Sequence, residues 1–286
     1  MPKKYMILYL IITCTNKKLE VKRIKSYKGI VVQRKSFVPL CLSGKIILNK
    51  IMQIENSGKK EFVSNMFNEI APNYDKANHI LSLGIHKSWR TRLVKELSKF
   101  KPQNILDVAT GTADVAIAVS SLKPKSITGI DNSEEMLKVG RKKLSNLELD
   151  SLITLKYADS ENLPFEDNSF DAATVAFGVR NFENIDKGLS EIHRVLTKDS
   201  PFIVLEFTNS NSPVFKGIYN FYFKNILPFF GKMITGSKYA YNYLPDSVEA
   251  FPGRQDFLTH MNKAGFSNCR FIELTNGVAC IYIGIK

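Results

Sequence analysis

The chain has 286 residues, 44% apolar and 23% charged, enough for one large α/β domain with appendages and too apolar for a disordered polymer. Its formal net charge of +13 is uneven: residues 1–60 hold fourteen Lys/Arg against two Glu, a net +12, which leaves +1 for the other 226 residues. That distribution argues against nucleic acid as a partner, because the basic segment is mostly Lys among Ile, Leu and Val and lacks the interleaved Arg and aromatic groups that stack on bases.

Residues 1–51 read as a basic leader unlike the rest. A basic start joins the apolar run Tyr5–Ile12, which is too short to span a bilayer and has no small-x-small cleavage site. The leader is expected to be disordered or outside the functional fold, with poor order before about Glu61. A start of translation at Met52 and a targeting segment both stay open. Cys14, Cys41, Cys269 and Cys280 show no paired spacing, so neither a disulfide framework nor a metal site is expected. Such usage favours a reducing compartment, the cytoplasm.

From Glu61 onwards Phe62, Met66, Phe67 and Ile70 recur at helical spacing, Pro72 breaks the run, and a second short helix precedes Gly84. An amphipathic packing helix would account for this pattern. The mixture of Tyr74, Asp75, Asn78, His86, Trp89 and Arg90 follows no helix face, however, and fits an N-terminal flap (residues 60–100) over a ligand site. His86 is a candidate proton acceptor, with a packing role as the alternative.

The stretch from Asn104 to Asp131 predicts a buried strand over Ile105–Val108, a small-residue turn Ala109-Thr110-Gly111-Thr112-Ala113, a helix starting near Asp114, and a strand Ser126–Ile130 ending on Asp131. Small residues let backbone N–H groups approach a ligand, and an acid twenty positions after Gly111 can accept from both ribose hydroxyls of a nucleoside. A glycine that serves packing alone is the alternative. The missing Gly-x-Gly-x-x-Gly counts against a nicotinamide-dependent reductase. Ser133 is positioned to cap a helix running to Lys143, and a third strand, Leu152–Ala158, leads to Asp159-Ser160. In a doubly wound sheet the tips at Gly111, Asp131 and Asp159 converge on one crevice, where Asp159 can accept from an adenine amino group. A fourth strand, Phe170–Ala176, ends in Phe177-Gly178-Val179-Arg180-Asn181-Phe182 at the same sheet edge.

The segments MFNEIAPNYDKANHILSLGIHKSWR, LDVATGTADVAI, GIDNSEEMLKVGRKKL, ADSENLPFEDNSFDAATVAFGVRNFENIDKGLSEIHRVL and LEFTNS together resemble the menaquinone/ubiquinone biosynthesis C-methyltransferase family over about residues 60–286. LPFEDNSFD is common to many class I S-adenosylmethionine methyltransferases, whereas FGVRNF with NYDKANHILSLGIHKSWR is narrower. Lys198-Asp199-Ser200-Pro201 departs from the family's usual Lys-Pro-Gly-Gly, and a locally altered turn is expected there.

The resemblance implies a doubly wound, mostly parallel seven-stranded sheet, Rossmann-like, with a terminal hairpin of Cys269–Leu274 and Val278–Ile285, in a methyltransferase domain over residues 52–286. It implies S-adenosylmethionine as cofactor, with Gly111 at the turn, Thr112 at the methionine end, Asp131 on the ribose and Asp159 with Ser160 on the adenine, while Asp107 anchors the turn or meets the amino group through water. The implied reaction is C-methylation of demethylmenaquinol to menaquinol. Another small hydrophobic phenol, quinol or sterol-like acceptor is the alternative.

The nucleophile would be a ring carbon beside an ionising phenol, with Arg180 stabilising the phenolate, Asn181 orienting it, and His86, Asp75 or water taking the proton. Ten of the twenty-nine residues from Phe215 to Tyr243 are Phe or Tyr. This cap (211–250) is either a packing element or a channel for a prenylated quinol's tail, with Ile226–Phe230, Lys224 and Lys232 in peripheral contact with the inner face of the membrane. Oligomeric state, including a homo-oligomer, stays open.

Overall fold

The computed structural model describes residues 8–15, 18–27, 30–39, 58–82, 84–208 and 239–286. The chain divides into two compact units, Met1–Gly58 and Lys59–Lys286. In the first, β1 (Leu8–Thr15), β2 (Lys18–Tyr27) and β3 (Ile30–Pro39) form an antiparallel sheet with β2 in the centre, in a register that sets Leu8 opposite Lys25 and Lys18 opposite Pro39. The sheet's local signal is the period-two alternation Leu19-Glu20-Val21-Lys22, which net charge conceals. Met52 and Cys41 lie outside the described residues, as does most of the aromatic cap: Ile226–Phe230, Lys224 and Lys232 included.

Helix α1 (58–70) leads into the second unit; Met66 and Ile70 are buried as their spacing predicts and Phe67 partly so, whereas Phe62 stays exposed and Val63 takes the buried place beside it. Pro72 ends it in a single 3-10 turn, Ala71–Asn73. α2 (Tyr74–Leu81) follows, then Gly84 at φ +80° turns the chain into α3 (Ile85–Leu97). Beyond these lie β4 (Asn104–Val108), α4 (Asp114–Val119), β5 (Ser126–Asp131), α5 (Glu134–Asn146), β6 (Ile153–Tyr157), β7 (Ala172–Ala176), α6 (Ile185–Val195), β8 (Pro201–Phe207), α7 (Tyr239–Ala250), α8 (Arg254–Lys263), β9 (Ser267–Leu274) and β10 (Ala279–Ile285). Ser133 caps α5 as its position predicts, accepting from the Met136 N–H at 3.3 Å, and Asn184 caps α6 in the same way.

The sheet order is β6-β5-β4-β7-β8-β10-β9. β4 to β8 pair in parallel and β10 runs antiparallel to both β8 and β9, which is the mostly parallel seven-stranded sheet expected. Alternate side chains fill two layers. Leu106, Val108, Ile130, Phe202 and Val204 pack with α6 and α8 on one face; Ile105, Ile127, Ile153, Ile203 and Leu205 pack with α3, α4 and α5 on the other. The terminal hairpin turns through Thr275, Asn276 and Gly277, all with positive φ, and Asp199 takes φ +63° at the position where the family's usual Lys-Pro-Gly-Gly has its proline, whose ring would not allow that φ.

The order of strands reverses between β4 and β7, the place where an open α/β sheet leaves a crevice at its carboxyl edge. There Gly178 lies so close to β4's turn that a Cβ on it would stand 2.5 Å from the Ala109 Cβ. Gly178→Ala is therefore expected to lower stability by roughly 1–3 kcal/mol in urea unfolding, whereas Tyr157→Thr on the exposed edge strand is expected to change it by less than about 0.5 kcal/mol. Equal effects would show that the two strand tips are not in contact.

Candidate active site

A cavity of about 720 Å³, including the solvent at its mouth, sits on this edge. Its floor is made by the turns after β4 (Ala109, Gly111), β5 (Asp131, Asn132), β6 (Ala158 to Glu161) and β7 (Phe177, Gly178, Asn181 to Glu183), and α1 and α2 supply Lys60, Val63, Phe67 and Tyr74. Of the residues singled out from sequence, Gly111, Asp131, Asp159, Ser160 and Asn181 line it. Thr112, His86 and Arg180 do not.

Parallel pairing sets Val108 beside Ile130 and Ile130 beside Lys156, so the next residues of the three chains leave the sheet together. The turn after β4 is bound to the turn after β5 by Gly111 N–H, which donates to Asp131 Oδ2 at 2.8 Å, and by Thr110 N–H, which donates to the Ile130 carbonyl at 2.8 Å. Asp131 Oδ1 accepts from Ser133 N–H at 2.9 Å. Each carboxylate oxygen keeps a lone pair for a further donor. Burial holds Asp131 up at about 6, against the hydrogen bonds from Gly111 and Ser133 that lower it.

Asp107 is likewise raised to about 6 by burial, and its two oxygens accept from Thr110 Oγ1 at 2.6 Å and Thr174 Oγ1 at 2.7 Å. It thus anchors the turn from beneath. Ala109, Gly111 and Ala113 all have positive φ, as does Phe177 across the crevice. For the two alanines and the phenylalanine this is a strain of about 1–2 kcal/mol each.

The flap is tied to the cavity rim. Lys60 pairs with Asp159 Oδ2, Lys59 Nζ donates to the Phe182 carbonyl at 2.9 Å, Ser64 Oγ donates to the Asn132 carbonyl at 2.7 Å, and Ser133 Oγ donates to Asn68 Oδ1 at 2.6 Å. Beneath it, Lys143 bridges Asp75 and Asp114, Arg90 pairs with Asp114, and Thr112 Oγ1 donates to Asp75 Oδ1 at 2.6 Å. Thr112 therefore ties α2 to the turn after β4.

Arg180 and His86 are not among the residues that line the cavity. The Arg180 side chain is 7% exposed and bonds Glu206 Oε1 at 2.8 Å, the Phe177 carbonyl, and Ser247 Oγ at 3.3 Å. Its charge is committed to the fully buried Glu206. His86 is buried, with Nδ1 bonded to Ser82 Oγ, and burial followed by the Arg90 charge pushes it down to about 4. Asn181 is oriented by Tyr243, whose hydroxyl donates to Asn181 Oδ1 at 3.2 Å and so leaves the amide's N–H₂ end free to donate.

Lys60, Glu161, Glu183 and Phe177 line the cavity without having been singled out as site residues. Glu161 has a local signal in its place two residues after Asp159; it accepts from the Glu183 and Asn184 N–H groups at 2.6 and 3.0 Å and fixes the loop before α6. The charged lining residues are Asp131, Asp159, Glu161 and Glu183 against Lys60, a formal net of −3 in a protein of net +13. An acidic cleft of that kind suits a cationic ligand.

Residues 53–286 match the profile of the ubiE/COQ5 methyltransferase family. The chain belongs to that family. It is 45% identical over 232 residues to the ubiquinone/menaquinone biosynthesis C-methyltransferase UbiE of Citrifermentans bemidjiense, covering 80% of this chain and 98% of that one. It is 44% identical over 239 residues to the demethylmenaquinone methyltransferase of Bacteroides fragilis, covering 83% and 98%. Among solved structures, an S-adenosyl-L-methionine-dependent methyltransferase of Methanococcus maripaludis shares the fold at a TM-score of 0.53 and 20% identity, over 76% of this chain and 91% of that one.

A methyltransferase of this fold implies S-adenosylmethionine as methyl donor, and the residues present fit it. A Cβ placed on Gly111 would meet nothing within 4 Å, so the glycine leaves its side of the cavity open for close backbone approach. The Asp131 and Asp159 carboxylates stand at adjacent strand tips as hydrogen-bond acceptors of the kind a nucleoside needs, and the acidic lining suits a cationic sulfonium.

Asp131 gives this fit a pH signature. A carboxylate accepts hydroxyl bonds best when ionised, so affinity for S-adenosylhomocysteine is expected to fall as pH drops below about 6, the value at which Asp131 titrates. Because that value lies above the roughly 3.9 of an unfolded chain, the same group favours folding below about pH 4 and loses that contribution as pH rises through about 6. Titration calorimetry between pH 5 and 7.5 should show the slope in the wild type and a weak, flat profile in Asp131→Asn. A flat wild-type profile would contradict the ribose assignment.

Proposed function

We propose that the chain transfers a methyl group from S-adenosylmethionine to a ring carbon of demethylmenaquinol, the kind of reaction for which its curated relatives are named. The observation that carries this reading is one cavity in which the donor-gripping tips of β4, β5 and β6 adjoin an aromatic and amide-lined end made by Phe67, Tyr74, Phe177 and Asn181.

When bound, the donor supplies an electrophilic methyl on a sulfonium. The residues of the chain hold the acceptor in line, exclude water, and stabilise the negative charge that makes its ring carbon nucleophilic. A phenol ionises near ~10, so the acceptor needs donors aimed at its oxygen. Asn181 lines the cavity, and with its Oδ1 engaged by Tyr243 its N–H₂ end is the part that can donate. Tyr74 is hydrogen-bonded to Asn78, and burial raises its hydroxyl, which keeps it protonated and able to donate.

Arg180 acts in this scheme as a positioning residue. Its guanidinium fixes the Phe177 carbonyl against Glu206 and so sets the loop that carries Asn181. His86 is assigned no proton transfer, since it does not line the cavity and its ring nitrogen is engaged by Ser82. The phenol proton leaves to water at the mouth, and once the ring carbon carries the methyl its own C–H proton leaves to water as the oxygen is reprotonated, so that one proton is released overall.

A polyprenyl tail would follow the aromatic segment from Phe215 to Tyr243 and bring the protein to a membrane surface; this part rests on composition, most of that segment lying outside the described residues. Among the described residues no helix is long and apolar enough to cross a membrane.

Incubation of the full chain with methyl-labelled S-adenosylmethionine and demethylmenaquinol is expected to place the label on the ring carbon by mass spectrometry. Label on oxygen, or transfer to a catechol and none to the quinol, would overturn the reading. Asn181→Ala is expected to reduce turnover about 100-fold with stability unchanged, whereas Arg180→Ala, by leaving Glu206 buried and unpaired, is expected to cost about 3–5 kcal/mol of stability. The reverse pattern would exchange the two roles.

A further inference from the structure

Phe177 holds a backbone conformation that bulky residues seldom adopt, at φ +57°. Strand order sets the tips along the edge as those of β6, β5, β4 and then β7, neighbouring strands lying roughly 4.8 Å apart, and the chain beyond them carries Asp159, Asp131, Gly111 and Phe177 in that order. A donor with adenine and ribose at the first two tips thus brings its reactive end beside the fourth.

Several described neighbours hold the strained residue. Its N–H donates to the Leu205 carbonyl at 2.7 Å and its own carbonyl accepts from Arg180. The adjoining Gly178 is pressed against Ala109. Phe207 lies behind the ring at 4.6 Å between centroids with planes 35° apart, and Trp89, anchored through Nε1 to Thr275 Oγ1 at 2.9 Å, lies at 6.0 Å. Phe177 is partly exposed and lines the cavity. A phenylalanine needed for packing alone has no use for a left-handed backbone. Strain maintained by this many contacts marks a side chain whose direction matters.

We propose that Phe177 is a specificity-determining residue: its ring, backed by Phe207 and Trp89, is the platform on which a flat, fused two-ring quinol stacks beside the donor. The inference rests on the acceptor class proposed above. Stacking scales with the overlap of the two rings, so a two-ring acceptor gains more from the platform than a one-ring acceptor does.

The test is anaerobic titration calorimetry on the full chain with 1,4-dihydroxynaphthalene, benzene-1,4-diol and S-adenosylhomocysteine as separate probes, alongside thermal melts. Phe177→Leu is expected to weaken binding of the two-ring diol about tenfold, to weaken the one-ring diol less than about threefold, and to leave S-adenosylhomocysteine within about twofold. Phe177→Trp, which keeps a ring, is expected to bind the two-ring diol at least as tightly as the wild type, and it serves as the deciding variant should the Leu form fail to fold. Unchanged two-ring affinity in Phe177→Leu, an equal loss for both diols, a parallel loss of S-adenosylhomocysteine, or weaker two-ring binding in Phe177→Trp would each overturn the proposal. Wild-type protein that binds S-adenosylhomocysteine and neither diol would instead refute the acceptor class, and the platform with it.

Discussion

A single N–H to carboxylate hydrogen bond, from Gly111 to Asp131 at 2.8 Å, ties together the two chain turns on which the site is built. It joins a backbone donor on one strand tip to a side-chain acceptor on the next, and it is possible only because parallel pairing brings β4 and β5 out of the sheet level with one another. The bond leaves Asp131 with lone pairs toward the cavity and Gly111 with open space in front of it. Everything the fold does around it, including the capped α5 and the buried Asp107 beneath, keeps those two groups in place.

The edge is held at a local cost. Ala109, Ala113 and Phe177 carry left-handed backbone that glycine would accept more readily. The surrounding structure compensates through the two threonine bonds to Asp107, the Arg180 grip on Phe177, and apolar layers on both faces of the sheet. Charge is arranged to the same end. The basic leader dominates the net charge, yet the carboxylates that matter for a cationic donor converge at the carboxyl edge of a nearly neutral domain.

The strand tips that meet at the cavity were legible in the sequence because their information is local. A strand that ends in small residues, followed twenty positions later by a strand that ends in an acid, fixes Gly111 and Asp131 by spacing, and strand pairing then brings Asp159 alongside. What was illegible depends on long-range partners. Lys60 reaches Asp159 across 99 positions, and Arg180 reaches Glu206 across 26. Arg180 reads as an exposed loop cation until Glu206 is seen to sit fully buried in β8. An acid inside the apolar run Phe202-Ile203-Val204-Leu205-Glu206-Phe207 is the signal that a buried cation must come to meet it. Phe177 was hidden for another reason: backbone strain leaves no mark in residue type.

Whether three neighbouring strand tips grip one donor together is read most directly by hydrogen exchange on the full chain with and without S-adenosylhomocysteine. The amides of residues 110–113, 131–134 and 159–161 are expected to slow together and to saturate at one ligand concentration, with those of β9 unchanged. Protection confined to one of the three turns, or none at any of them while the ligand demonstrably binds, would contradict the shared grip.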